Sequence, residues 1–181
     1  GKGRFNSWCR PCVGAQQRER RQGGGQRRFG VEIEFIGDPY AVEQEMRNRG
    51  LQCERQNYNH RTLRIWKIVP DGSVPGGAEL VSPPLSGEDG RRQVEAASAA
   101  LVAAGARINK HCGLHVHHDV RRLKLAELQR LFAIWRNSQP AMDMLVAPSR
   151  RNSRWSMPVS EGDVMAVNGM RSMTLTDARV S

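Results

Sequence analysis

The chain has 181 residues, 39% of them hydrophobic, enough for one domain with a buried core and a small appendage. No apolar run approaches the roughly 18 residues of a helical membrane span and GKGRFNSWCRPC contains no signal-peptide core, so no membrane association is expected, and four cysteines without a secretion signal lead to the expectation of a reducing cytoplasm rather than a disulfide framework. The net charge of +10 is uneven, with eight Lys/Arg against one Glu in residues 1–28 but 15 against 14 in residues 29–148, so basicity lies mostly in an N-terminal arm, and the near-neutral body weighs against the whole fold being built to hold a nucleic-acid backbone.

In chain order, three glycines in QQRERRQGGGQRR mark a linker over residues 16–27, and the body begins near Arg28. VEIEF alternates, placing Val31, Ile33 and Phe35 on one strand face and Glu32 and Glu34 on the other. Asp38 before Pro39 opens a helix over 39–49 that buries Val42 and Met46 and stops at Gly50. LQCERQ and TLRIWKIV read as strands, PDGS as a turn and AELVS as the next strand. A second helix starts with Ser86 and Asp89 in capping-box spacing, buries Val94, Ala97 and Leu101, and closes at Gly105. NKHCGLHVHHDV is a strand with His115 and His117 on one face and Leu114 and Val116 on a core face. Leu125, Leu128, Leu131, Phe132 and Trp135 give a last amphipathic helix, ended by Pro140 or soon after. Residues 149–181 are polar and show no helix long enough to close a domain. The order of elements predicts an α+β fold.

Two glutamates on one strand face, a third at Glu79 and two histidines on another strand face combine hard oxygen donors with imidazole nitrogens. That donor mixture suits a divalent cation, and its oxygen content favours Mg²⁺ or Mn²⁺ over a catalytic Zn²⁺. Taken singly, each pair is also what a solvated strand face looks like, and Glu79 alone reads equally as a surface acid.

The wording around these residues is more specific. RRFGVEIEFIG, WKIVPDGSV, GGAELVSPPL and CGLHVHHDV, in this order, resemble the amidoligase family, carboxylate–amine ligases of the glutamine synthetase and glutamate–cysteine ligase superfamily; APSRRNSRWSMPV is similar to the segment that follows the histidine strand there. The resemblance covers residues 28 to about 160. It implies an antiparallel sheet with helices on one face, a glutamine synthetase-like catalytic half-barrel, ATP, Mg²⁺ or Mn²⁺, and amide formation through an acyl phosphate from carboxylate and amine substrates. It further implies that Glu32, Glu34, Glu79 and His115 are metal ligands and that His117 lies near the nucleotide phosphates or the metal. Asp71 falls in the matching turn, where a structural role is at least as well founded as a catalytic one. Arg150 and Arg151 are candidates to hold a phosphate or carboxylate, with a solvated basic turn as the equal alternative.

The resemblance also implies a further strand reading like TVEFR, with another glutamate and an arginine, and nothing of that form occurs before Ser181. The expectation is an incomplete copy, with 28–148 as the core and 149–181 as the tail of a shortened core. RFNSWCRPCVGAQQRERR resembles the second half of a small phage-type zinc ribbon, so residues 1–15 are expected to be a ribbon remnant in which Cys9 and Cys12 hold Zn²⁺ only with ligands from elsewhere. Two rival readings remain at this point: a nucleic-acid-binding zinc-ribbon protein that uses its basic arm, and a metal-dependent hydrolase that directs the same acids and histidines at water.

Overall fold

The computed structural model describes residues 27–148, 151 and 157–170, which fall into two compact units divided between Asp119 and Val120. The first unit holds the sheet: β1 (Arg28–Ile36), α1 (Pro39–Asn48), β2 (Cys53–Arg55), β3 (Trp66–Asp71), β4 (Gly77–Val81), β5 (Leu85–Ser86), α2 (Gly87–Ala103) and β6 (Leu114–His118). The second holds α3 (Leu125–Asp143) and α4 (Glu161–Asn168). None of the helices among the described residues is long and apolar enough to cross a membrane.

β1 organises the sheet. Hydrogen-bonded neighbours run β2-β3-β4-β1-β5, and β6 also pairs with β1. Glu32 pairs with Val81 and with His115, and Phe29 with Leu85 and with His118, so β6 takes one edge of β1 while β4 and then β5 share the other. Between β4 and β5 the register moves by one residue, at the Ser82–Pro83–Pro84 break, where Ser82 N still donates to Val31 O and Ser82 Oγ accepts from Val31 N. All pairings in the sheet are antiparallel except β2 with β3, which are parallel. The fold is thus α+β as expected, but the expected antiparallel sheet is corrected to a mixed one, because β2 enters from α1 in the same direction as β3.

The helix ends follow local chemistry. Asp38 caps α1 by accepting from Tyr40 N at 2.9 Å, with Pro39 at the first helical position, where its missing N–H costs nothing. α1 and α2 both finish in a left-handed glycine, Gly50 and Gly105, and in each the following residue returns a hydrogen bond into the last turn: Leu51 N to Met46 O and Ala106 N to Leu101 O, both 3.0 Å. Ser86 occupies the N-cap of α2, but its side chain makes no capping bond, and Asp89 instead accepts from Gln93. In 149–181, where no helix was expected to close a domain, α4 is a short one of eight residues, opened by Ser160 and Asp163 in a reciprocal capping box.

α1 and α2 supply the core on one face of the sheet. Trp66, Phe35, Met46, Ile68, Leu80 and Val42 are fully buried there, and burying each such side chain stabilises the fold by about 1.5–3 kcal/mol. The core draws on β1 through β5 and takes nothing from β6. Leu114 and Val116, expected on a core face, are 65% and 51% exposed: alternation fixes which way they point, but they take no part in the core that α1 and α2 supply. In α3 no residue is fully buried, although Leu125, Leu128 and Phe132 are half-buried.

Close backbone approach generates a test. A Cβ at Gly77 would stand 2.9 Å from Phe35 O and collide with Val74, whereas one at Gly72 would meet nothing within 4 Å. Gly77→Ala should cost about 1–3 kcal/mol by chemical denaturation, as overpacked sites do, and Gly72→Ala should be neutral. Equal effects of the two substitutions would contradict this packing.

Candidate metal centre

Residues paired directly across a sheet share a face. One row of partners reads Glu54, Lys67, Val81, Glu32, His115, and the next reads Val69, Glu79, Glu34, with His117 opposite Gly30 one step further along β1. Glu32, Glu34, Glu79, His115 and His117 therefore stand together on the face opposite the helices. This follows from β1 alone: its odd positions, Val31 and Phe35 among them, are committed to the core, so its glutamates must point away.

The side chains meet. Glu32 Oε2 lies 3.2 Å from His115 Nδ1 and 3.1 Å from His117 Nε2, and Glu34 Oε1 lies 3.8 Å from His115 Nε2. Glu34 is buried and its Oε2 accepts from Gly113 N at 2.5 Å, while Glu34 N donates to Gly113 O at 3.1 Å. Gly113 suits this closeness: a Cβ there would sit 2.9 Å from His115 Nε2 and 3.3 Å from Glu34 Oε2, so the imidazole would have to shift. Its role was missed in the sequence, where its position two residues before His115 was the available signal. Glu32, Glu79 and His115 each offer one donor atom, and the three atoms lie within 4.8 Å of one another.

Of the other candidates, Asp71 ends β3 with its carboxylate accepting from Ser73 N and Ser73 Oγ, both at 2.8 Å, a turn-closing arrangement. Arg151 donates to Val146 O through Nε and a terminal nitrogen, at 3.2 and 3.1 Å. Arg150, Cys9, Cys12, the ribbon remnant and the linker up to residue 26 lie outside the described residues. Cys53 and Cys112 are buried free thiols, and burial, with Glu43 nearby, pushes Cys53 up to about 12.

The electrostatics are those of a site with more negative charge than it can hold alone. Burial pushes the Glu79 carboxyl up to about 7, aided by the charges of Glu32 and Asp71. Burial also works against the Glu32 carboxylate, but hydrogen bonds and positive charge from His115 and His117 outweigh it and hold the group at about 2. Both histidines are raised above 6.5, first by the hydrogen bond each makes with Glu32 and against the effect of burial. Protons thus sit where a cation would otherwise be needed.

These shifts fix the sign of a pH effect. Glu79 binds more protons folded than unfolded between its ordinary 4.5 and about 7, so stability falls as pH rises through that window. The raised histidines contribute stability that is complete below 6.5 and lost as pH climbs past their folded values. Glu32 acts the other way, losing its contribution only as pH falls below 4.5 toward 2. In the absence of divalent cations the denaturation midpoint should therefore be higher at about pH 5 than at about pH 8, and Glu79→Gln should flatten the difference. A wild-type profile that rises over this range, or a slope that Glu79→Gln leaves intact, would contradict these assignments.

A family model described as "Putative amidoligase enzyme" matches residues 25–166. No curated protein and no solved structure matches the chain. The matched span is well over half of the 181 residues and contains every member of the glutamate and histidine cluster, and on that ground the chain belongs to the amidoligase family.

Proposed function

We propose that this protein is an ATP-dependent carboxylate–amine ligase of the glutamine synthetase and glutamate–cysteine ligase superfamily, with the glutamate and histidine face of its sheet as the concave catalytic surface of a half-barrel. The observation that carries the reading is the convergence of Glu32, Glu79 and His115 on one point of that face. The donor set fits a divalent cation. Bonds of about 2.1 Å place neighbouring ligands about 3 to 4 Å apart around Mg²⁺ or Mn²⁺, and atoms already within 4.8 Å reach that spacing by small side-chain rotations. Two carboxylates and one imidazole match the preference of these ions for oxygen.

In this reading Glu32, Glu79 and His115 hold the cation, and Glu34 and His117 flank it. Such an ion offsets charge on a transferring phosphoryl group. The overall chemistry is a two-stage exchange: a substrate carboxylate oxygen attacks the γ-phosphorus of ATP and ADP leaves, then an amine attacks the acyl carbon and phosphate leaves with the amide formed. Glu79 gives up its proton when the cation arrives, so binding strengthens with pH. Glu34, fixed by the Gly113 amide, stands 3.8 Å from His115 Nε2. His117, raised by Glu32, is suited to present an N–H to a phosphate oxygen.

The expected outcomes are separable. Glu79→Gln or His115→Ala should weaken Mn²⁺ binding about tenfold or more in calorimetric titration, with the helical signal unchanged. Steady-state ADP release from ATP, beyond a single turnover, should require both a carboxylate and an amine and should disappear in the same variants. Product release that ignores the amine would contradict the ligase reading and indicate attack by water, and Mn²⁺ affinity unaffected by both substitutions would contradict the assignment of ligands.

A further inference from the structure

The connection between β2 and β3 has no part in the cation cluster, and its path over the sheet can be derived. β2 and β3 are adjacent and parallel, so residues 56–65 must cross a face of the sheet to return to the starting end. Lys67 identifies which face. It stands in the row of Glu54, Val81, Glu32 and His115 and so projects toward the carboxylates, away from the helices. Its ammonium donates to Asn59 O at 2.9 Å, Asn59 Oδ1 at 3.1 Å and Arg61 O at 2.8 Å, and the residue is only 3% exposed. The crossover therefore lies on the glutamate and histidine face. Two strand spacings, about 10 Å, separate Lys67 from Glu32 along that row. Asn59 stiffens the loop from within, donating to Gln56 Oε1 and Asn57 O and accepting from Arg61 N.

The loop adds cationic side chains to this face. Arg61 and Arg64 are both exposed, and neither guanidinium has a hydrogen bond or ion pair among the described residues. Glu32, Glu34 and Glu79 lie on the same face with Asp71 nearby, so an anionic substrate seated there meets carboxyl groups as well as the imidazoles of His115 and His117. Lys67 keeps its charge but has no donor left for a substrate, because its ammonium is already bonded to three neutral oxygens of the loop. The loop that carries these guanidinium groups lies on the face of the cluster, with its anchor Lys67 about 10 Å from Glu32 along the row, and their planar donor fork matches phosphate and carboxylate.

We propose that the crossover 56–65 is the oxyanion-recognition wall of this site, in which Arg61 and Arg64 meet a phosphate or carboxylate group of the substrate. Lys67 is the positioning residue that keeps the wall on the catalytic face. The inference rests on the proposed function for the identity of the neighbouring cluster, while the path of the loop stands independently.

The test uses tripolyphosphate and glutarate as probes, titrated calorimetrically into the protein with and without Mn²⁺, so that phosphate and carboxylate recognition are told apart. The wild type should bind at least one probe. The double variant Arg61→Gln/Arg64→Gln should weaken that binding about tenfold or more and leave Mn²⁺ affinity unchanged. Lys67→Met should produce the same loss with faster amide exchange confined to residues 57–65, and Lys67→Arg should restore part of it; if Lys67→Met does not fold, the arginine variant decides. Oxyanion binding that is absent from the wild type, or equal in the wild type and the arginine variant, would overturn the inference, as would unchanged exchange in a folded Lys67→Met. Mn²⁺ binding with arginine-independent oxyanion binding overturns the wall alone, whereas arginine-dependent oxyanion binding without Mn²⁺ binding supports the wall and overturns the metal assignment.

Discussion

Everything at the candidate centre depends on the pairing of β1 along both of its edges. Its central position leaves no freedom of register: Val31 and Phe35 are locked into the core, and Glu32 and Glu34 are forced onto the other face. The neighbours inherit that constraint. Glu79 comes beside Glu34 because β4 pairs antiparallel with β1, and His115 comes beside Glu32 because β6 does. A slip of one residue in either pairing would carry a ligand candidate to the helix side. The apolar core thus does more than stabilise the sheet, since it sets the direction in which five titratable side chains point.

The same constraint explains the charge state of the cluster. Carboxyls brought together on a half-buried face cannot all ionise without compensation, and the structure divides them: Glu32 is held ionised by two histidines, while Glu79 retains its proton up to about 7. A site of this kind exchanges protons for a cation at near-neutral pH. The crossover strapped down by Lys67 brings two further cationic side chains, unpaired among the described residues, to the same face, which matters to any chemistry on an anionic substrate.

Much of this was legible in the sequence because it is written with short periods. Alternation in VEIEF and in LHVHH names the faces, and Asp38–Pro39, Gly50 and Gly105 punctuate the helices by local chemistry. What failed to show is non-local. No local pattern says that β2 runs parallel to β3, since the direction of a pairing is decided by where the connecting chain goes. Lys67, in TLRIWKIV, reads as an ordinary solvent-facing lysine and is among the most deeply buried residues, because the loop that covers it comes from residues 59–61. Alternation gives Leu114 and Val116 a face but cannot say whether anything covers it, and both are exposed and outside the core. Gly113 was visible only as part of a motif, without the reason that a Cβ there would make the His115 imidazole shift.

The central claim is that the core-imposed register of β1, β4 and β6 makes a divalent-cation site of Glu32, Glu79 and His115. Anomalous diffraction at the manganese edge, from crystals of the protein grown with Mn²⁺, tests it most directly. The account predicts a peak bonded to one oxygen each of Glu32 and Glu79 and to a nitrogen of His115, at about 2.1–2.2 Å. A fully occupied manganese elsewhere with nothing at these three side chains, or no peak at millimolar Mn²⁺ and a pH of about 8, would contradict it.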